Sequence, residues 1–177
     1  MATYSLYDAT IIPAKAALTS LRRILSAGEQ HRVAEAARLL LLSARLHDDM
    51  RPLTFQVHYA TAQADKMVAK LSGREPSATL GEERDLASFA DMYARIDQVL
   101  AALARADKDT VNRIGETLTA APIGHEVKDV PVKALATAAI MPNIYFHVSM
   151  AYAILRKEGV PVGKRDYLRS FVSDYVE

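Results

Sequence analysis

The chain contains no cysteine, which excludes disulfides, thiolate metal ligands and a cysteine nucleophile together. It also lacks an excess of charge of either sign. Lysine and arginine number 22 against 21 aspartate and glutamate, for a formal charge of +1. The two signs alternate along the whole length, so the chain offers no electrostatic footprint for a phosphate backbone or an anionic membrane surface. Neither nucleic acid nor membrane is an expected partner. No glycine-rich phosphate loop, nucleophile elbow or paired-histidine zinc helix is present, and no internal repeat or low-complexity tract interrupts the chain. Met1 to Asp8 lack a basic start followed by an apolar stretch, so neither a secretory signal nor a transit peptide is read there and a cytoplasmic location is expected.

What is present suits one domain, residues 1–177, burying one continuous core: 177 residues, half of them apolar. From Ala134 to Leu155 no side chain is charged, a stretch long enough to suggest a membrane span. It nevertheless holds Pro142, Asn143, His147, Ser149 and two tyrosines, and reads better as the central helix of a protein core.

Periodicity divides the chain into four long helical segments and two irregular connections. The first helix is expected from Ile11, with Pro13 in its first turn and Ile12, Ala16, Ile24 and Leu25 facing inward, until Gly28 ends it. A shorter helix is expected from Val33 to Ala44, then a polar loop over Leu46–Arg51 in which Asp48 and Asp49 supply caps. Pro52 suits the start of the second bundle helix, whose apolar positions Leu53, Val57, Ala60, Ala64 and Leu71 recur until Ser72-Gly73. Thr79-Leu80-Gly81-Glu82 has capping-box spacing and predicts the start of the third, with a seam through Leu86, Phe89, Tyr93, Ile96, Leu100 and Leu103. Between Asp107 and Val132 the period is lost. Arg113 to Leu118 and His125 to Val130 form either a small two-stranded excursion or an irregular loop. The last helix is expected over Val132 to Glu158, closed by Gly159, with a tail folding back on the bundle. The fold class that follows is all-α, an antiparallel four-helix bundle with a short excursion before the last helix.

Candidate chemistry gathers on the last helix. Pro142 cannot donate to the carbonyl of Ala138, so a kink or a broken hydrogen-bond ladder is expected just before Asn143. Asn143 and His147 lie four residues apart, on one helical face with Ala151 and Ile154. Their expected partners lie on the second helix, where Gln56 points inward and His58 and Tyr59 follow on different faces. One reading is a small-molecule pocket in which His147 is a general acid or base, Gln56, Asn143 and His58 bind the ligand, and Tyr145 and Tyr152 approach the reacting group. The other is a satisfied polar core that rigidifies the bundle. For Tyr145, Phe146, Met150 and Tyr152 the alternative to a ligand surface is packing in the core or across a homodimer formed through the last helix. No cofactor is expected. A divalent nickel, zinc or manganese ion is the alternative, with His147 its one good ligand. His31, His47 and His125 are assigned to solvent.

Several segments carry a family resemblance. Ala44-Arg45-Leu46, Asp49-Met50, Pro52-Leu53 and Gln56-Val57 are followed much later by Met141-Pro142-Asn143-Ile144-Tyr145-Phe146-His147. Gly159-Val160-Pro161-Val162-Gly163-Lys164-Arg165-Asp166-Tyr167-Leu168 completes the set. Together, from Leu6-Tyr7 to Leu168, the chain resembles a bacterial and fungal domain-of-unknown-function branch of the DinB/YfiT-like superfamily. The resemblance implies a four-helix bundle, usually dimeric, whose better-known relatives are metal-dependent enzymes working with low-molecular-weight thiols through three histidines. Mapped by motif, those ligands fall on or near Gln56, on Asn143 and on His147, so two of the three are replaced. The branch also tends to carry an aspartate where this chain has Ala62. The resemblance thus implies the fold and a pocket and argues against the relatives' metal chemistry.

Overall fold

The computed structural model describes residues 4–32, 34–83 and 86–173, with Ile123 described through its backbone alone. The reading of Met1–Thr3 as leaderless and of Val33 as a helix start lie outside the described residues. Helix α1 spans Leu6–His31 and begins on a capping box, in which the Ser5 hydroxyl accepts from the Asp8 amide and the Asp8 carboxylate accepts from the Ser5 amide at 3.0 Å. This pair outweighs Pro13, which lies inside the helix, so the expected start at Ile11 is corrected to Leu6. The inward stripe is Ile11, Ala14, Leu18, Leu21 and Leu25, whereas Ile12 is exposed. Gly28 does not end the helix. It is buried within it because a side chain there would meet Leu155, an ideal Cβ lying 2.9 Å from Leu155 Cδ2.

Helix α2, Glu35–Ser43, buries Leu41 and Leu42 and leaves Leu39 and Leu40 exposed. Helix α3, Leu53–Leu71, starts after Pro52 and stops at Ser72, with Gly73 at φ 65° taking the left-handed conformation that a side chain resists. Asp48 and Asp49 do not cap α3, which has no side-chain cap. Asp49 pairs instead with His47 at 2.8 Å. Thr79 to Glu82 also fails as the start of a long helix. Ala78–Gly81 is one short turn, α4, and α5 spans Phe89–Ala104 because Ser88 accepts from the Asp91 amide at 3.1 Å. Leu86 therefore precedes the seam, whose buried members are Phe89, Met92, Ile96, Val99 and Leu103.

The stretch without periodicity holds a helix, α6, Lys108–Ile114, capped by Asp107, and then an antiparallel hairpin of β1, Leu118–Ile123, and β2, Glu126–Pro131. The first expected strand is thus displaced, Arg113 belonging to α6. Gly124, at φ 63°, makes the turn. The fold is all-α with this one small sheet among the described residues.

After β2 the chain enters a continuous helical run: α7, Val132–Ala134, a π-helical segment over Leu135–Ile140, and α8, Met141–Lys157. The wide turn answers Pro142. With no amide hydrogen at Pro142 and its ring against the preceding carbonyls, the backbone opens by one residue, and the Met141 amide reaches back five residues to the Ala136 carbonyl. The run is long and apolar enough to cross a membrane, yet Ile140, Met141, Ile144, Val148, Ala151 and Leu155 are buried against α1 and α3. Gly159, at φ 82°, closes it. Val160 and Val162 are buried, and a helix absent from the sequence reading, α9 at Lys164–Val172, lies on α1, held where the Ser20 hydroxyl donates to the Tyr167 carbonyl at 2.5 Å. Helices α1, α3, α5 and α8 share the core, and the α3–α8 contact is the most extensive between helices.

Candidate functional site

Along the α3–α8 contact the sequence sets apolar residues every three or four positions, with two polar side chains among them. Gln56 is 3 % exposed and His147 is 7 % exposed. Buried polar groups must find partners, and these two find each other: Gln56 Oε1 lies 2.8 Å from His147 Nδ1. The Gln56 amide nitrogen donates to the Arg51 carbonyl at 2.9 Å. That second bond fixes the first. A carbonyl only accepts, so the Gln56 nitrogen must face Arg51, its oxygen must face His147, and Nδ1 must carry the proton. The neutral imidazole then has its lone pair on Nε2.

The ring is boxed by aromatics from both helices. Tyr59 lies 4.5 Å away by ring centroids, Phe146 5.1 Å away at 88°, and Phe55 6.0 Å away at 68°, while Phe55 and Tyr59 stack at 5.5 Å. The Arg51 guanidinium lies over the Phe55 ring at 4.3 Å. With no carboxylate beside it, His147 is pushed by burial down to about 4, because removing an imidazolium from water is costly. Nε2 has no protein partner among the described residues. Nor is it a sealed orphan, since His58 Nδ1 is the one buried side-chain atom of that kind among them. Nε2 therefore keeps some contact with solvent.

His58 is buried on another face of α3. It opens a polar seam with Thr61 and Asp65, one helical turn apart each, facing α4 and α5. Arg95, buried among the apolar seam of α5, donates to the Thr61 hydroxyl at 2.7 Å and to the carbonyls of His58 and Leu80, and Asp65 accepts from the Ser77 amide at 2.8 Å. Burial first, then Arg95 and Arg51, hold His58 below its ordinary range.

The structure thus brings Gln56, Tyr59 and His147 together and leaves the other expected residues apart from them. Asn143 is exposed and donates to the Ala139 carbonyl of the π segment at 3.2 Å. Tyr145 and Tyr152 turn toward α9, Tyr145 against Phe171 at 6.0 Å and Tyr152 against Tyr167 at 6.1 Å. Phe55 and Arg95 went unselected in the sequence. Phe55 and Tyr59 sit four apart flanking Gln56, and Arg95 breaks the run Met92–Ile96–Val99, and both were readable signals. A transition metal does not fit the donors present. His147 Nε2 is an open donor for a metal, but Asn143 is committed to its own helix, and no group of three histidine, aspartate or glutamate side chains converges among the described residues.

Residues 6–168 match the profile of a domain of unknown function, DUF1993. Among solved structures, the crystal structure of a DinB family member protein from Shewanella denitrificans matches with a TM-score of 0.79 at 30% sequence identity, covering 92% of this chain and 91% of that chain. No curated protein matches. The chain belongs to the DUF1993 family and has a DinB-like, all-α fold.

Proposed function

We propose that the chain is a cytoplasmic, homodimeric four-helix-bundle protein that binds a small molecule between α3 and α8 without a metal, His147 Nε2 accepting a hydrogen bond from the ligand. The observation that carries this reading is the chain from the Arg51 carbonyl through Gln56 to His147, which leaves one fixed acceptor nitrogen at the end of an aromatic box. Such a site favours a ligand with a hydroxyl or N–H donor on an apolar body. Binding is favoured over proton transfer by magnitude. An imidazole whose conjugate acid titrates near 4 is a far weaker base than the conjugate bases of the oxygen and carbon acids it would have to deprotonate, and efficient general bases sit near the working pH. Phe146, 52% exposed on the outward side of α8, supports a dimer through the last helix, which sedimentation at graded concentration tests.

Carbethoxylation with diethyl pyrocarbonate tests the acceptor, since it requires a neutral, reachable imidazole nitrogen. Peptide mapping is expected to find His147 modified alongside the exposed His31, His47 and His125. Full modification of those three with His147 untouched would make the pair a sealed structural element and end the proposal.

A further inference from the structure

An open cavity lies on the opposite side of α8 from the Gln56–His147 pair, between α8 and α9. Its volume is about 300 Å³, and its walls are Ser149, Tyr152, Lys164, Tyr167 and Leu168. It shares no residue with the Gln56–His147 pair. Tyr152 and Tyr167 meet edge to face at 6.1 Å and 82°, and Tyr167 stacks on Phe171 at 5.9 Å and 17°. The Ser149 and Tyr167 hydroxyls are 3.2 Å apart, so one donates to the other and the second proton remains to be given. The backbone beneath is fixed at two points, the Ser20 bond to the Tyr167 carbonyl and the bond from the Gly163 amide to Asp166 Oδ2 at 2.8 Å.

Lys164 is the unexpected member. It is the first residue of α9, where the positive end of the helix disfavours a cation, and it is exposed with no carboxylate partner among the described residues. Ring contacts between α8 and α9 account for the tyrosines. They account neither for the open volume between the helices nor for an ammonium at its rim. A cavity at the lower limit of ligand-sized pockets, with aromatic walls, one spare hydroxyl proton and one cation, is complementary to a small planar acid.

We propose that this α8–α9 cavity binds a small aromatic carboxylate, the ring against Tyr152 and Tyr167 and the carboxylate on Lys164 and the Ser149–Tyr167 hydroxyl pair. Tyr152 is then a binding residue of this second site, separate from His147. The ligand is small, so binding in the millimolar range is expected.

Benzoate titration followed by amide NMR of the full chain tests this, with benzyl alcohol and acetate as probes that keep the ring or the charge alone. Saturable shifts at Ser149, Tyr152, Lys164, Tyr167 and Leu168 are expected with benzoate. Lys164→Gln and the exchange of benzoate for benzyl alcohol should each weaken binding by roughly tenfold, the worth of one charge-assisted contact. Ser149→Leu, which fills the cavity, should abolish the shifts while spectra elsewhere stay unchanged. Three results overturn the proposal: no saturation with benzoate, equal affinity in Lys164→Gln, or the same shifts with acetate, which would mark a surface ion effect only. None of them bears on His147, whose acceptor role is read separately.

Discussion

Stability should fall with pH in a window set by His147, and replacing that residue should remove the window. Burial lowers the His147 pKa from its ordinary 6.5 to about 4 in the folded chain. Between those values the unfolded chain takes up a proton that the folded chain refuses. The sign follows: the contribution is complete above about pH 6.5, is lost progressively as pH falls, and is gone once the pH passes below about 4. At 1.36 kcal/mol for each unit, the difference is worth about 3 kcal/mol. His58 shifts in the same direction, and exposed carboxylates titrate nearby, so wild type alone is not decisive. His147→Phe keeps the ring volume and the aromatic box but removes the titrating group. Its loss of the Gln56 partner adds a cost of about 1–2 kcal/mol that is independent of pH. Urea denaturation followed by far-UV circular dichroism across the window should show wild type losing about 3 kcal/mol more than His147→Phe. Parallel stability curves for the two proteins would refute a buried, neutral His147.

Gln56→Leu leaves the His147 Nδ1–H and the Arg51 carbonyl without their partners and should cost about 2 kcal/mol in urea denaturation, with His147 still titrating low because its burial is retained. Arg95→Leu removes the bonds to the Thr61 hydroxyl and to the His58 and Leu80 carbonyls in a buried seam, with an expected loss of about 2–4 kcal/mol by the same method. Gly28→Val should lower stability by about 1–3 kcal/mol, because its Cβ already lies 2.9 Å from a fully buried leucine methyl and the added methyls have nowhere to go. Gly28→Ala should cost less, a gain in helix propensity offsetting part of the contact.

How far the sequence revealed this structure depended on whether a signal was local. The apolar periods of α3, α5 and α8 and the stops at Gly73 and Gly159 were legible, since burial every three or four residues and left-handed closure act within a turn or two. Two helix starts were misread because capping residues compete: Ser5 with Asp8 overrode Pro13, and Ser88 with Asp91 overrode Thr79 with Glu82. Helix α9 was missed because it has no fully buried residue and is held by partners distant in sequence, Ser20 above all. At the site, the meeting of Gln56 with His147 could be anticipated because both interrupt apolar stripes. The departure of Asn143 could not, since the π segment beside it supplies a nearby carbonyl that no helical wheel contains. The turn of Tyr145 and Tyr152 toward α9 was equally hidden, because the element they face was itself unforeseen.

The central claim is a neutral His147 whose proton sits on Nδ1 toward Gln56 and whose Nε2 is an open acceptor. Long-range proton–nitrogen NMR of the histidine rings, recorded through an acid titration and assigned by the loss of one ring in His147→Phe, measures this directly. The account predicts a protonated Nδ1 and a bare Nε2 at neutral pH, with titration near 4. A ring protonated on Nε2, or one titrating at or above its ordinary 6.5, would contradict it.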